Sequence, residues 1–357
     1  MEIIAEVGVN HNGDPALAAD LIAASARAGA DIVKFQTFKA EKLVTRQAVQ
    51  ASYQQRNLGS DSGSTQFEML RRLELDFAAF HELKAECIRH GVRFLSTPFD
   101  IDSALYLVDD LGETLVKVGS GDFDNFPLLV MLARRGVDVI LSTGMSTLGE
   151  IELSLGALAF GYLWSPQESP SIAAFMTAYG ASEARALLAR KVTVLHCTTE
   201  YPAPPESLNL RVIPLIAQAF GVPIGFSDHS RGSDAAIAAR VLGATMLEKH
   251  ITLDSTMDGP DHRASMEPDD FARLVTGIRN IDVAMGDGIK RMMPAEAANR
   301  FIARKSPVAA VPIRAGEVFS DANVTLKRAH GGAPAETYYR LMGQVCPHDL
   351  NTDDVII

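Results

Sequence analysis

The sequence predicts a (β/α)8 barrel followed by a small β-rich module, and three observations carry that expectation. Eight β-branched, apolar runs each end at Gly, Pro, Ser or Asn or close to one; amphipathic Ala/Leu-rich stretches separate most of them; and short strands and turns replace long helices toward the C-terminal end. Parallel strands covered on both faces read as near-continuous apolar runs, and eight βα units over roughly 280 residues suit a closed barrel. A doubly wound open sheet is the rival architecture, but no G-x-G-x-x-G follows the first strand.

In order, the strand runs are IIAEVG, DIVKFQTF, VRFLSTPF, TLVKVGS, DVILSTG, VTVLHCTT, PIGFSDH and TMLEKHIT. Between them PALAADLIAASARAGA, FAAFHELKAECIRHG, LLVMLARRG and DAAIAARVLGA read as helices, several closing on Gly as a C-cap. The connection from Leu43 to Gln66 is long, polar and rich in Gln and Ser, so it reads as an active-site loop. A second enlargement, GYLWSPQESPSIAAFMTAYGASEARALLARK, adds helix before the sixth strand. These boundaries predict a barrel over 1–287, a polar connector over 288–303 and a β-rich module over 304–357, with turn signals at Arg314 to Glu317 and Ser320 to Asn323.

With 357 residues, 47% hydrophobic and 22% charged, the chain has a globular profile. Its formal net charge of -11 repels polyanions, so neither a nucleic acid nor an anionic membrane is expected as a partner. MEIIAEVGVN enters a strand with no export signal, no apolar run reaches the ~20 residues of a membrane helix, and Cys87, Cys197 and Cys346 are too scattered for a disulfide framework. A cytoplasmic location is the expectation.

Alternate residues of a parallel barrel strand point inward, and sites form at the strands' C-terminal ends. One phase sends Glu6, Lys34, Gln36, Lys117, Ser142, Ser227, His229, Glu248 and His250 inside. Uncompensated buried charges are costly, so these groups must serve one another or a charged ligand. Lys34 and Lys117 offer point charges to a phosphate or carboxylate, and Ser142 and Ser227, with the turns VGSGD and LSTGM, add donors. His229 and His250 could hold a divalent ion with Glu248 beside them, in a set that suits Mn2+ or Mg2+ more than closed zinc. The plain alternatives are hydrogen-bonded structural histidines, as for His196, and a structural Lys34–Glu6 ion pair. Cys197 reads as core, and Tyr201 as a loop residue over the barrel mouth.

IIAEVGVNHNGD, GADIVKFQTFKAEKLVT, FLSTPFD, KVGSGDFDNFPLL, ILSTGMSTLGEIE, LHCTTEYPAPPESLNL, GFSDHS, LEKHITLD and GPDHRASMEPDDF together resemble the bacterial sialic acid synthase family, which includes the legionaminic acid synthases. ARKSPVAAVPIRAGEVFSDANVTLKR resembles that family's C-terminal antifreeze-like (SAF) module. The resemblance implies an enzyme that condenses phosphoenolpyruvate with an N-acylmannosamine-type sugar. N-acetylneuraminate made from N-acetylmannosamine is its first product expectation and N,N'-diacetyllegionaminate, made from 2,4-diacetamido-2,4,6-trideoxymannose, its second. It implies His229 and His250 as Mn2+ ligands with Glu248 beside them. Lys34, Lys117, Ser120, Ser142 and Ser227, aided by Tyr201, would hold phosphoenolpyruvate; Glu6, Gln36, Asp122 and Asp261 would contact the sugar. Arg328 would reach in from the partner of a domain-swapped homodimer. Two departures stand out: SGD replaces the usual SGE, shortening Asp122 by a methylene, and KRAHGG replaces KRPGNG, with His330 unexplained. A metal-dependent barrel hydrolase and a non-enzymatic carbohydrate-binding barrel are the rivals from other classes. The first usually wants H-x-H on the first strand, where VNHNG has only His11.

Overall fold

The computed structural model describes residues 1–50, 65–163 and 168–357. Contacts divide the chain into two compact units, Met1–Gly286 and Asp287–Ile357. In the first, eight parallel strands run β1 (Glu2–Gly8), β2 (Ile32–Thr37), β3 (Arg93–Pro98), β4 (Leu115–Val118), β5 (Asp138–Ser142), β6 (Val192–Cys197), β7 (Ile224–Asp228) and β8 (Met246–His250). Their order is β3-β2-β1-β8-β7-β6-β5-β4, and β3 and β4 lie side by side, so the sheet curls into a nearly closed barrel. Each run predicted from the sequence coincides with one of these strands to within a residue or two at its ends.

The helices form the outer layer for the reasons their sequences suggest. Asp14 caps the helix Pro15–Arg27 by accepting from Ala16 N, Pro15 supplies the preset φ of a first helical turn, and Ala18, Leu21 and Ile22 are buried. Thr147 and Glu150 form a capping box at the start of Leu148–Tyr162. The enlargement before β6 contributes the helices Ile172–Gly180 and Ser182–Lys191; its residues 164–167 lie outside the described residues. The same holds for 51–64 of the long connection after β2, whose described flanks carry the short helix Ala40–Leu43 and the helix Gln66–Leu73.

Inside the barrel the period of two creates levels. Ile4, Ile32, Leu95, Ile140, Leu195 and Met246 fill the bottom, with Leu115 packed against them. Gly225 completes that level because a Cβ there would sit 2.4 Å from Leu195 Cδ2 and 2.6 Å from the Met246 carbonyl oxygen. Burying each large aliphatic side chain contributes about 1.5–3 kcal/mol, so this plug can support a polar layer above it.

The second unit pairs β9 (Lys305–Ala309) antiparallel with β10 (Val324–Arg328) over its own core of Ala309, Ile313, Phe319, Val324, Leu341, Cys346, Leu350 and Ile356. The segment read as a polar connector contains the helix Ala297–Ala303, so it is not simply extended chain. Among the described residues no helix is long and apolar enough to cross a membrane.

Candidate active site

Two residues beyond the apolar plug, the inward phase delivers Glu6, Lys34, Thr97, Lys117, Ser142, Cys197, Ser227 and Glu248; Gln36, His229 and His250 follow one step higher. Strand register sets Glu6 opposite both Lys34 and His250, and Ser227 opposite Glu248, as the stagger between strands brings successive steps side by side. All of these line one cavity of about 290 Å³, joined by Ser120, Tyr201 and Asp261 from the loops.

The floor is a buried charge network. Lys34 Nζ lies 2.7 Å from Glu6 Oε2 and 3.6 Å from Glu248 Oε2, and donates to Thr97 Oγ1 at 3.1 Å. Lys117 Nζ lies 3.3 Å from Glu248, and Ser227 Oγ donates to the same carboxylate at 2.8 Å. Gln36 Nε2 donates to Glu6 Oε1 at 3.3 Å. Two acids thus neutralise two ammoniums, and the Lys34–Glu6 ion pair weighed as a structural alternative is present within the cavity wall.

Burial and pairing divide the two carboxyls. Burial pushes Glu6 up, Lys34 pulls it down and Glu248 pushes it up again, leaving it at about 7. Burial also opposes the charge on Glu248, but Lys117 and Lys34 outweigh it and hold that carboxyl well below its ordinary range. Of the lysines, Lys34 gains more from Glu248 and Glu6 than burial costs, so its pKa rises. At Lys117 burial prevails over Glu248, with repulsion from Lys34 adding to it, and the pKa falls.

The imidazoles face this network. His229 Nδ1 is 2.7 Å from the Thr198 carbonyl oxygen, so the ring donates there and Nε2 keeps its lone pair, 3.4 Å from Ser227 Oγ. The ring centroids of His229 and His250 are 5.6 Å apart. His250 Nδ1 is buried without a hydrogen-bond partner, 4.0 Å from Asp261 Oδ2. Burial and the neighbouring His229 hold His250 well below its usual pKa, which keeps it neutral as a metal ligand must be. Burial likewise opposes a charge on His229, but contacts with Cys197 and Thr198 raise its pKa. Burial pushes Asp261 up to about 6. The Tyr201 ring packs 4.0 Å from that of His229 and stands edge-on to His250 at 5.6 Å.

Two imidazoles with nitrogens to spare fit a divalent cation that completes its shell with water and ligand oxygens. Among the described residues no group of three or more His, Cys, Asp or Glu is arranged to hold an ion. Glu248, read from the sequence as the metal's neighbour, has its carboxylate engaged by Lys117, Lys34 and Ser227.

The cavity therefore gathers Glu6, Lys34, Gln36, Lys117, Ser120, Ser142, Tyr201, Ser227, His229, Glu248, His250 and Asp261. Asp122 is the exception: it is not part of the wall, and its carboxylate instead accepts from Asn125 Nδ2 at 2.9 Å, beside the start of the helix Phe126–Arg134. Arg328 ends β10 in the second unit, exposed. Sequence reasoning missed Thr97 and Thr199 and assigned Cys197 to the core, yet all three line the cavity. Thr97 and Cys197 share the inward phase of Lys117 and Glu248, so the period of two was the signal that could have found them. Thr199 Oγ1 and Ser142 Oγ are buried without hydrogen-bond partners, two hydroxyls able to meet ligand oxygens. Asp228, by contrast, is tied 2.7 Å from Lys249 Nζ and accepts from Ser230, a structural pair outside the cavity lining. His196 is likewise structural, hydrogen-bonded to the Leu208 carbonyl oxygen at 2.6 Å.

The chain matches the model of the NeuB family over residues 21–290 and that of the SAF domain over 304–356. It is 42% identical to the N,N'-diacetyllegionaminic acid synthase of Campylobacter jejuni, covering 99% of this chain and 98% of that protein. The N,N'-diacetyllegionaminic acid synthase of Legionella pneumophila is 36% identical over 94% of this chain and 87% of its own. Among solved structures, the N-acetylneuraminic acid (sialic acid) synthetase of Leptospira borgpetersenii superposes with a TM-score of 0.66 at 28% identity, covering 83% of this chain and 89% of that one. With a family model spanning most of its barrel and a relative this similar from end to end, the chain belongs to the NeuB family of sugar-acid synthases and carries a SAF domain after its barrel.

Proposed function

We propose that this protein condenses phosphoenolpyruvate with 2,4-diacetamido-2,4,6-trideoxymannose, giving N,N'-diacetyllegionaminate and phosphate. The observation that carries the reading is the convergence of Lys34 and Lys117 with the His229/His250 pair in one cavity. The substrate and its product follow the two legionaminic acid synthases at 42% and 36% identity. The sequence placed N-acetylneuraminate first, and the likeness to the Leptospira synthetase keeps it as the second reading.

In this reaction C3 of phosphoenolpyruvate bonds to the aldehyde carbon of the sugar, water adds at C2, and the C2–O bond to phosphate breaks. Lys34 and Lys117 exchange their carboxylate partners for the anionic groups of phosphoenolpyruvate, while Ser120, Ser142, Thr199 and Ser227 offer hydroxyls and Tyr201 covers the anion. His229 and His250 would hold Mn2+ or Mg2+, which when bound would supply Lewis-acid polarisation of the acceptor carbonyl. Glu6, balanced near neutral pH between its two protonation states, provides the proton taken up by the former carbonyl oxygen. Gln36 and Asp261 contact the sugar. Arg328 of a domain-swapped partner completes the site at the N-acyl group, a role that the family resemblance supports.

Incubating the purified protein with phosphoenolpyruvate, Mn2+ and either sugar, and following phosphate release and product mass, tests the proposal. Sugar-dependent phosphate with a nine-carbon keto acid is expected. Phosphate release without sugar, or none with either sugar, would overturn it.

A further inference from the structure

We infer that Met69, Leu73 and Phe99 form the wall that receives the far end of the acceptor and selects a C6 methyl over a C6 hydroxyl. The inference rests on the condensation proposed above and adds the part of the protein that reads the substrate.

The cavity has two chemistries. Its floor, at the strand ends, is charged or hydroxylated. Another part of its lining is apolar, built from Leu43, Val44, Met69, Leu70, Leu73 and Phe99, which come from the segment after β2 and the end of β3. Met69, Leu70 and Leu73 are buried and pack with Val9, Phe38 and Ala40 in a cluster separate from the main core. The helix that carries them is set by a capping box in which Thr65 and Glu68 each satisfy the other's backbone N–H. Phe99 is held edge-on to Phe38, with ring centroids 6.3 Å apart. The wall therefore exists before any ligand arrives.

Strand order sets the direction of the sugar. His229 directly follows β7 and His250 ends β8, whereas the apolar wall comes from the segments that follow β2 and β3, on the other side of β1. An acceptor whose aldehyde carbon reaches the imidazoles directs its most distant carbon, C6, away from them and toward that wall. A methyl there replaces water with apolar contact. A hydroxyl loses its hydration and finds, among the described cavity-lining residues of the segment after β2, only the Gln66 side chain able to hydrogen-bond. Discrimination by one such group in an apolar pocket is on the order of tenfold or more.

The test uses two acceptors that share both acetamido groups and differ only at C6, methyl against hydroxyl, with kcat/KM measured by phosphate release. The wild type should prefer the methyl sugar by roughly tenfold, mainly through KM. Equal efficiency or preference for the hydroxyl would overturn this inference and leave the condensation intact. No condensation with either sugar would overturn both. Met69→Gln, nearly isosteric but hydrogen-bonding, should narrow the preference at least about threefold, and Met69→Leu should keep it. An unchanged ratio in folded Met69→Gln would remove Met69 from the wall. The wild-type comparison stands whether or not the variant folds.

Discussion

His229 Nδ1 lies 2.7 Å from the carbonyl oxygen of Thr198, and this one contact decides which imidazole nitrogen keeps its lone pair for the cavity. The acceptor is a backbone carbonyl, which no side-chain substitution at position 198 removes. Only the neutral ring offers that lone pair to a cation, so metal affinity should fall as the pH drops. His250→Ala should weaken Mn2+ binding more than about tenfold and abolish turnover while the thermal melt stays near wild type. Titration followed by electron paramagnetic resonance reads this directly. Unaltered Mn2+ affinity would take His250 out of the metal's coordination.

Lys34 is the only cation pairing with Glu6 among the described ion pairs, and both side chains are nearly inaccessible. Lys34→Met keeps the stem and deletes the charge, leaving a buried carboxylate without its counterion. That should cost about 3–5 kcal/mol of stability unless Glu6 takes up a proton, in which case the loss is smaller and grows with pH. Adding Glu6→Gln should recover much of the loss in denaturant melts while phosphoenolpyruvate turnover stays absent. A double variant no more stable than Lys34→Met would show that the pair is not coupled.

Glu6 also gives a pH signature with a definite sign. Its folded pKa of about 7 stands above its ordinary value of 4.5, because burial, opposed by Lys34, disfavours the carboxylate. Between those values the folded chain holds a proton that the unfolded chain releases, so stability falls as pH rises from about 4.5 to about 7. Above that range this group adds no further loss. Urea melts of metal-free protein across the range should show this slope, and Glu6→Gln should flatten it. The same slope in both proteins would assign it to other groups.

The inner surface of the barrel was legible because strand periodicity is strict. Once Glu248 and His250 are placed on one face, Met246 must lie beneath them, and the same step in neighbouring strands gives Lys117 above Leu115 and Lys34 above Ile32. Loops have no such rule. Asp122, placed at the sugar by the family resemblance alone, sits on a turn beyond β4 and accepts from Asn125. Thr198, whose side chain donates to the Ser207 carbonyl while its own carbonyl orients His229, acts through an atom that every residue possesses, so its type carried no signal. The apolar wall was hidden for a related reason. Nothing in the residue types of Met69 and Leu73 marks them, and only packing decides that one face of their helix borders a cavity.

Asn10 is fully buried in the loop after β1 and ties two parts of the mouth together. Its Nδ2 donates to the Ile251 carbonyl oxygen and to Ser265 Oγ, both at 2.8 Å, and Ser265 Oγ donates in turn to the Asp261 carbonyl oxygen at 2.7 Å. This chain holds the loop after β8 so that Asp261 faces the cavity. Asn10→Ala should raise KM for the sugar about tenfold, with a smaller change in KM for phosphoenolpyruvate. Equal effects on both substrates would indicate a general loosening of the barrel mouth.

Arg328 stands exposed at the end of β10, in the unit that follows the barrel, and its proposed role places it in the active site of a partner. Mixing two inactive proteins decides the matter. In a heterodimer of His250→Ala and Arg328→Ala, a site completed across subunits joins the barrel that keeps His250 with the chain that keeps Arg328, so one of the two sites is whole. A site completed within one chain always lacks one or the other. After unfolding and co-refolding at equal concentrations, about half the dimers are mixed and about a quarter of wild-type activity should return. Activity that stays at the level of the separate variants would place Arg328 in its own subunit's site or in none.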